Sequence, residues 1–252
     1  MQVLVEQKTI IGSREEQQDA HFVYSPGDMT FAAVCDGMGG TSGGSAASAV
    51  VVSKLRELVE AKDLFEPFPS FFLRAIDIMD ESVVGLKKQT GTEDSGTTIV
   101  AAAIERGLLY WLAVGDSRLY IIRGNEIVQA TRDHNFALSL EQLAAEGVDT
   151  ASAIPGNHRA DALISFIGIG GVKIYDINEA AFALLPDDKI LLTTDGLTKS
   201  LDDGEILSLL SDAPLSRGLD VLFQKAAEKS SGAQDNTTCV LIHVENGGSR
   251  NG

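Results

Sequence analysis

The sequence has few cysteines and no long apolar run, and each shortage excludes a class of protein. Its two cysteines, Cys35 and Cys239, lie in separate apolar runs without Cys-x-x-Cys or Cys-His spacing. This argues against a zinc site and fits two buried thiols in a reducing compartment. No apolar run reaches the ~18 residues that a membrane-spanning helix needs, and the first residues lack the pattern of a signal peptide. We therefore expect a cytoplasmic protein without a membrane partner.

Basic residues are scarce as well. The 252 residues include 20 lysines and arginines against 36 aspartates and glutamates, a formal net charge of −16 at pH 7. Binding to a nucleic-acid backbone or to an anionic membrane requires the opposite sign, so neither partner is expected. An acidic excess usually marks a solvated surface, but several carboxylates here lie between apolar runs and glycines and need another explanation.

Hydrophobic periodicity predicts one α+β domain over residues 1–245, followed by a flexible polar tail at 246–252. Strands come in groups and helices in pairs, which is typical of layered α+β folds rather than of alternating βαβ units. The segment 147–171 has no clear period and is predicted to be a mobile flap beside the substrate channel, with its three last glycines as hinges. The predicted strands are 3–11, 20–24, 31–35, 97–105, 108–114, 118–123, 126–130, 172–177, 189–194 and 237–244, and the predicted helices are 45–61, 67–88, 138–146, 203–210 and 216–230.

Four aspartates share one local pattern, a carboxylate beside a turn at the end of an apolar run. Asp36 and Asp195 each follow such a run and precede a glycine. Asp116 lies in a tight turn between two strands, and Asp235 precedes the last strand. One Asp-Gly pair alone is a common turn dipeptide. Several together indicate a shared site, because the glycines let backbone or ligand approach closely.

Carboxylates that converge in this way need cations. Two unscreened carboxylates about 4 Å apart repel each other by ~4 kcal/mol at an effective dielectric constant of about 20. A site of oxygen ligands without histidine or cysteine favours Mg²⁺ or Mn²⁺ over Zn²⁺, and paired metals of this kind serve hydrolysis at phosphorus. A glycosidase, the alternative, would need only two carboxylates, one of them protonated.

Six motifs, in order, resemble those of the type 2C (PPM) metal-dependent protein phosphatases and span about residues 8–244. The resemblance implies a four-layer αββα sandwich, two antiparallel sheets flanked by helix pairs, with metals in a channel at one sheet edge. It also implies hydrolysis of phosphoserine and phosphothreonine in proteins by a hydroxide that bridges two Mg²⁺ or Mn²⁺ ions. The motifs are GSREEQQDAH (12–21), VCDGMGG (34–40), SGTT (95–98), VGDSR (114–118), TDGL (194–197) and DN (235–236).

The resemblance also assigns the metal ligands. Asp36 would bridge both metals, and Gly37 would add its backbone carbonyl to one of them. Asp195 and Asp235 would complete the shell of the other metal. Asp19 would act mainly through metal-bound water.

The phosphate itself would be bound by an arginine. Arg14 matches the family's phosphate-binding arginine and, with Asp36, forms the predicted catalytic pair. Its planar guanidinium suits bidentate contact with phosphate oxygens, and a surface salt bridge with Glu15 or Glu16 is the alternative. Asn236 is expected to hold the aspartate that precedes it.

The chain departs from the family pattern at several positions. Gln18 replaces a glutamate that commonly helps to organise the second metal's waters, and Thr41 and Ser45 replace a histidine and a glutamate. These changes leave the two-metal ligand set intact.

The most consequential departure is Lys199, which stands where the family usually has an aspartate that binds a third metal together with Asp116. A protonated ammonium cannot ligate a metal, so the third site at Asp116 is put in question. We expect Lys199 to lie near Asp116 or Asp195 and to substitute in part for the third cation.

Three functions compete. The leading hypothesis is an active phosphatase whose partners are phosphorylated proteins and a cognate Ser/Thr kinase. The departures motivate a second, a pseudophosphatase that binds phosphoproteins without turnover. It predicts the loss of Asp36, Asp195 or Asp235, and all three are present. A metal-dependent nuclease is the third, and it conflicts with the net charge.

Overall fold

The protein is described here from a computed structural model, in which part of the chain lies outside the described residues. Thr41, most of the predicted flap (147–159) and the predicted tail (246–252) are outside them. The domain boundary at residue 245 therefore stays a prediction. The structure describes residues 2–40, 42–63, 65–146, 160–213 and 217–245.

Strands and helices follow one another in groups, as the periodicity predicts. The strands are β1 (Val3–Ile10), β2 (Asp19–Tyr24), β3 (Met29–Met38), β4 (Gly96–Thr97), β5 (Ile99–Glu105), β6 (Leu108–Val114), β7 (Arg118–Arg123), β8 (Glu126–Gln129), β9 (Asp176–Ile177), β10 (Phe182–Ala183), β11 (Lys189–Thr193) and β12 (Thr237–Val244). The helices are α1 (Gly43–Glu60), α2 (Phe68–Thr90), α3 (Phe136–Ala145), α4 (Asp195–Thr198), α5 (Asp203–Asp212) and α6 (Gly218–Lys229).

The strands form two antiparallel sheets. The first has the order β1-β12-β11-β7-β8, and the second follows the path β10-β6-β5-β3-β2, with β4 paired to β3 and β9 to β6. At one edge of the first sheet, the first strand of the chain pairs with the last, since Val3 lies opposite Val244 and Ile10 opposite Thr237. This long-range pairing brings the segments before β2 and before β12 to the same edge.

The core has three apolar layers, and β5 shows how the sequence produces two of them. Alternate side chains of a strand point to opposite faces. Ala101 and Ala103 face the layer between the second sheet and helices α1 and α2, whereas Val100 and Ala102 face the layer between the two sheets. A strand buried on both faces reads as a continuous apolar run, as this one does.

The third layer lies between the first sheet and helices α4, α5 and α6, where Leu191 of β11, Leu241 of β12 and Leu222 of α6 belong to one apolar cluster. Two helices thus cover the outer face of each sheet, with the short α4 beside the second pair. This arrangement confirms the predicted four-layer αββα sandwich. None of the helices in the described parts of the chain has the length and apolar character to cross a membrane.

One strand is longer than predicted, and the difference bears on the site. The sequence predicts that this strand ends before Asp36, but β3 continues through Asp36 and Gly37 because both residues have strand partners. Asp36 lies opposite Asp19 in β2, and Gly37 lies opposite Thr97 in β4. The Asp-Gly pair is therefore part of the sheet rather than a turn.

Other differences concern short elements. The strand predicted over 172–177 is reduced to the two residues of β9, and the two-residue strand β10 was not predicted. Both lie against β6. A strand of two residues forms only because a neighbouring strand pairs with it, so no local sequence pattern predicts it.

Candidate metal centre

The second sheet contributes two aspartates to the site, Asp19 and Asp36, on neighbouring strands. The backbone around Asp36 is held from the other side of β3. Its carbonyl oxygen accepts hydrogen bonds from the Thr98 amide (2.9 Å) and the Thr97 hydroxyl (2.8 Å), and its amide donates to the Thr98 hydroxyl (3.0 Å). Asp19 is 8% exposed, and one of its oxygens accepts from the Thr194 hydroxyl at 2.9 Å.

The first sheet contributes two more aspartates from neighbouring strands. Asp195 is the first residue of α4, two positions after the end of β11, and Asp235 lies two residues before β12. Gly196 lets these two segments meet, because a Cβ atom there would lie 2.0 Å from the carbonyl oxygen of Asn236. Any other residue at position 196 would push the two aspartates apart.

Asp116 lies in the turn between β6 and β7, which joins the two sheets. The turn is fixed by its neighbours: Gly115 has φ 106°, and its amide donates to Nδ1 of the buried His134 at 3.1 Å. The Ser117 and Thr98 hydroxyls are 2.6 Å apart. Thr98 therefore contacts both the Asp116 turn and the backbone of Asp36.

These elements open into one cavity of about 650 Å³ at the edge of the two sheets. Most of the predicted site residues line it together. Asp19 does not line the cavity and lies buried beside it. The predicted residues in the cavity wall are Arg14, Asp36, Gly37, Asp116, Asp195 and Asp235.

The carboxylates repel one another and are partly removed from water. Burial, and then the charges of Asp195 and Asp19, raise the pKa of Asp36 well above its usual range. Burial is also the main reason that the pKa of Asp19 rises to about 7, although the Thr194 hydroxyl opposes it. The pKa of Asp116 rises to about 7 through burial and the charge of Asp195. The cluster therefore holds more negative charge than its surroundings stabilise.

Two basic side chains contact this cluster. Arg14 binds Asp235 with two contacts, Nε to Oδ1 at 2.8 Å and Nη2 to Oδ2 at 2.9 Å. The Lys199 ammonium lies 2.6 Å from Asp195 Oδ2 and 3.1 Å from Asp235 Oδ2. Burial opposes ionisation of Asp235, but the hydrogen bonds from Arg14 and Lys199 outweigh it and lower the Asp235 pKa.

These contacts bear on what the sequence predicts for Lys199 and Arg14. Lys199 lies beside Asp195, as predicted. For Arg14, the alternative of a salt bridge with Glu15 or Glu16 is not what the described contacts show, since its partner is Asp235.

Two unsatisfied oxygens of the site fit divalent cations. Oδ1 of Asp19 and Oδ1 of Asp195 are buried and have no hydrogen-bond partner among the described residues. Buried carboxylate oxygens of this kind are ligands for Mg²⁺ or Mn²⁺. By donor type and by charge, the residues fit such ions.

The spacing of the same side chains fits less well. Within the described ranges, no group of three or more histidine, cysteine, aspartate or glutamate side chains is arranged to hold a metal ion by itself. The Lys199 ammonium stands between Asp195 and Asp235, and Arg14 holds Asp235 from the other side. Arg14 and Lys199 are half-exposed, so their side chains can turn into solvent and leave these carboxylate oxygens to a cation. A cation here would have to displace these contacts.

Asn236 differs from its predicted role. Its backbone amide donates to Asp235 Oδ1 at 2.9 Å, but its side chain holds the segment that carries Arg14 instead. The Asn236 amide group donates to the carbonyls of Ile11 and Glu16, and its oxygen accepts from the Gln18 amide. Asn236 thus links the segment of Arg14, the candidate for phosphate binding, to Asp235, a candidate metal ligand.

Two residues of the site were missed by the sequence analysis. Glu16 accepts hydrogen bonds from the Ser45 hydroxyl (2.6 Å) and the Ser42 amide (3.1 Å) and so fixes the start of α1 at the cavity. Asp161, in the described part of the predicted flap, lines the cavity. The described part of the predicted flap therefore borders the cavity, as predicted. Glu16 stands in the motif at 12–21 but was considered only as a partner of Arg14, and Asp161 stands in none of the six motifs.

The three glycines predicted as hinges have a different role. The amides of Gly168 and Gly171 each donate to the buried Asp80 carboxylate of α2 at 2.6 Å, and that of Gly170 donates at 3.3 Å. The structure thus shows a fixed anchor at this end of the flap.

Comparison with known proteins gives the family. The family model described as protein phosphatase 2C matches residues 7–238. The chain is 28% identical over 214 residues to a serine/threonine phosphatase stp of Listeria welshimeri, covering 83% of this chain and 82% of that protein. The crystal structure of Stp1 from Staphylococcus aureus superposes with a TM-score of 0.83 at 26% identity, covering 98% and 96% of the two chains.

A further solved structure, the catalytic domain of the phosphatase PstP in complex with 2 manganese ions, shares the fold with a TM-score of 0.75 at 24% identity, covering 97% and 99% of the two chains. The resemblance read from the six motifs is confirmed. The chain belongs to the protein phosphatase 2C family and is a protein phosphatase.

Proposed function

We propose that this phosphatase hydrolyses phosphoserine and phosphothreonine in proteins with two divalent cations, Mg²⁺ or Mn²⁺, held by its aspartate cluster. One observation carries the proposal. Aspartates from both sheets meet at one open cavity, where the raised pKa of Asp36 and the unpaired buried oxygens of Asp19 and Asp195 call for positive charge. The matched relative is named a serine/threonine phosphatase, which supports the same substrate class here.

The residues that would hold the cations are those of the cluster. Asp36 would contact both ions, as the family resemblance implies, with the Gly37 carbonyl as a further ligand. Asp195 and Asp235, from the neighbouring strands β11 and β12, would serve one of them, and Asp19 would act from its buried position beside the cavity. When bound, such ions lower the pKa of water and neutralise charge on phosphoryl oxygens.

Arg14 would bind the phosphate. Its side chain is 60% exposed at the cavity wall, so the guanidinium is free to exchange one carboxylate contact for phosphate oxygens. Asn236 holds the segment that carries Arg14 beside Asp235. A phosphate bound by Arg14 would therefore lie close to the cations.

The shape and charge of the cavity favour a protein substrate. It is a wide, open depression at a sheet edge, with acidic side chains such as Glu15 and Asp161 in its wall. A phosphorylated side chain on an extended segment can enter it from solvent. A kinase that phosphorylates the same proteins is the expected functional partner.

The pseudophosphatase is the weaker alternative. A binding module would be free to lose ligands, yet the predicted ligands line the cavity or lie beside it. The named relatives are phosphatases. The nuclease hypothesis is set aside, because the chain belongs to a phosphatase family.

Release of phosphate from a phosphothreonine peptide tests the proposal. We expect turnover with Mn²⁺ or Mg²⁺ and none in excess EDTA, after bound metal has been removed and measured. Arg14→Ala should raise the KM for the peptide more than it lowers kcat, while Arg217→Ala, outside the cavity, should change neither. Full turnover in EDTA by metal-free protein would refute the metal requirement, and unaltered KM and kcat in Arg14→Ala would make Arg14 a bystander.

A further inference from the structure

Lys199 is placed where it competes with any cation of the cluster. It follows α4 directly, one helical turn after Asp195, and its ammonium contacts Asp195 at 2.6 Å and Asp235 at 3.1 Å. These are the carboxylates that the neighbouring strands β11 and β12 bring together. A single ammonium thus joins them across the cavity wall.

The surroundings of Lys199 hold this ammonium by charge as well as by contact. Asp195 and Asp235 are its direct partners, and its charge also acts on Asp116, across the same cavity. Of the described residues in the cavity wall, Arg14 is the other basic one, and it contacts Asp235 alone. Lys199 is therefore the counter-charge of Asp195.

An ammonium and a metal ion compete for the Oδ2 atoms of Asp195 and Asp235. The ammonium donates hydrogen bonds and has no lone pair to offer as a ligand, and two cations at contact distance from the same carboxylate repel each other. The Lys199 side chain is 56% exposed, so it is free to turn into solvent when displaced.

We propose that Lys199 is a built-in cation of this phosphatase, which metal ions must displace from Asp195 and Asp235 and which takes the place of a further ion beside Asp116. The proposal rests on the proposed metal site. It makes two consequences measurable: metal binds more weakly than the carboxylates alone would allow, and the protein without metal is stabilised by its own lysine.

Mn²⁺ binding to Lys199→Met, followed by calorimetry and by the electron paramagnetic resonance of free Mn²⁺, tests this directly. Removing a charged hydrogen-bond donor should strengthen the tightest Mn²⁺ site by about tenfold, the effect of one such bond. The midpoint of thermal unfolding in EDTA should fall at the same time. Lys225→Met, which removes a surface lysine paired with Glu228, is the matched control and should change neither.

Lys199→Asp adds a stoichiometric test. It should bind one more Mn²⁺ per chain than the natural protein, because position 199 then offers a ligand beside Asp195. Unchanged Mn²⁺ affinity in both Lys199→Met and Lys199→Gln, with an unchanged ion count in Lys199→Asp, would overturn the proposal. None of these readouts is phosphate release, so a failure here is distinct from a failure of the proposed function.

A buried carboxylate on the other side of the second sheet supports a separate inference. Asp80 is 5% exposed in α2, and its two oxygens accept the amides of Gly168, Gly170 and Gly171. These three glycines have φ of 104°, 85° and 109°. Only glycine adopts such angles readily, so the loop is shaped to wrap around the carboxylate.

The loop continues a segment that reaches the cavity. Ile167 exchanges two backbone hydrogen bonds with Thr97, at 3.0 and 2.8 Å, and the Thr97 hydroxyl holds the carbonyl of Asp36. Further along the same segment, Leu163 and Asp161 line the cavity. One continuous stretch thus connects the Asp80 anchor to the cavity wall.

We infer that Asp80 is a positioning residue, which holds the wall formed by residues 161–167 in place for a protein substrate. A small aryl phosphate needs the cations but not this wall. Asp80→Asn should therefore raise the KM for a phosphopeptide several-fold and leave kcat/KM for p-nitrophenyl phosphate unchanged.

Hydrogen exchange supplies the second readout. The amides of Gly168 and Gly171 should lose protection in Asp80→Asn, while the exposed Asp77→Asn in the same helix should leave exchange and both substrates unaffected. An equal loss for the two substrates would reduce Asp80 to a structural residue, and an unchanged peptide KM with lost protection would show that the wall is not used by substrate. If Asp80→Asn does not fold, Gly170→Ala tests the same loop.

Discussion

At the scale of the residue, the central feature is a carboxylate whose ionised form is destabilised by desolvation and by neighbouring negative charges. Asp36 is half-buried at the cavity wall and faces the charges of Asp195 and Asp19. Proteins retain such groups where a ligand needs them. The same charge that serves a cation destabilises the chain when no cation is bound.

Asp36→Asn separates these two effects. The change keeps the shape of the side chain but removes its charge, so turnover should fall to background while stability in EDTA rises by about 1 kcal/mol or more. Phosphate release and denaturant unfolding measure the two. Asp28→Asn, an exposed aspartate outside the cavity, is the control. Unchanged turnover in Asp36→Asn would remove the basis for the assignment of the centre.

The raised pKa values predict how stability depends on pH without metal. The pKa of Asp19 rises from 3.8 to about 7, mainly through burial, and that of Asp116 also rises from 3.8 to about 7. The folded state therefore binds protons more tightly than the unfolded state. Its stability is greatest below the unfolded value and is lost as the pH rises from about 4 to about 7.

In EDTA, unfolding free energies should thus be higher near pH 5 than near pH 8. Mn²⁺ should reverse the trend, because metal binding displaces protons from the same oxygens. Denaturant titrations across this range, with and without Mn²⁺, are the measurement. Stability in EDTA that rises toward pH 8 would contradict the charge distribution described for the site.

At the scale of the element, helix α5 begins with a complete capping box, three residues after Lys199. The Asp202 side chain accepts from the Glu205 amide at 2.9 Å, and the Glu205 side chain accepts from the Asp202 amide at 3.1 Å. The box fixes the point at which the chain leaves α4 and Lys199 and turns onto the first sheet. The sequence pattern D-x-x-E, here Asp202 and Glu205, is typical of such a capping box.

Asp202→Ala should lower the free energy of unfolding by about 1 kcal/mol, the usual cost of an N-cap. Turnover should be unchanged, since Asp202 lies outside the cavity wall. Asp202→Ser keeps a capping oxygen and should restore most of the loss, which chemical denaturation can show. Equal stability of the Ala and Ser variants would mean that the cap contributes nothing.

At the scale of the whole molecule, the net charge of −16 acts on every substrate that approaches. An acidic phosphopeptide is repelled by the surface and by wall residues such as Glu15 and Asp161, whereas a basic one is attracted. Raising the salt concentration screens both effects. The KM of a peptide with acidic flanks should therefore fall with added NaCl, and that of a peptide with basic flanks should rise. Parallel salt dependences for the two peptides would exclude steering by charge.

Much of the architecture could be predicted at the level of strands and layers. The last strand was predicted at its observed bounds, Thr237–Val244, because it is a largely apolar, β-branched run between a polar segment and a polar tail. The predicted end of β3 was wrong, because Asp-Gly is a turn signal in isolation. Here the partners Asp19 and Thr97, brought by other strands, keep the pair extended.

The sequence by itself determined the family, the layered α+β class and the residue types of the centre, since six motifs and the hydrophobic period are local properties of the chain. Only the tertiary structure decided which side chains meet. Arg14 and Asp235 are 221 positions apart, and their contact follows from the pairing of the first and last strands. The Asp80 anchor spans 88 positions to Gly168 in the same way. Local propensity specifies each element, but partners this distant depend on how sheets and helices stack, and that is a property of the whole fold.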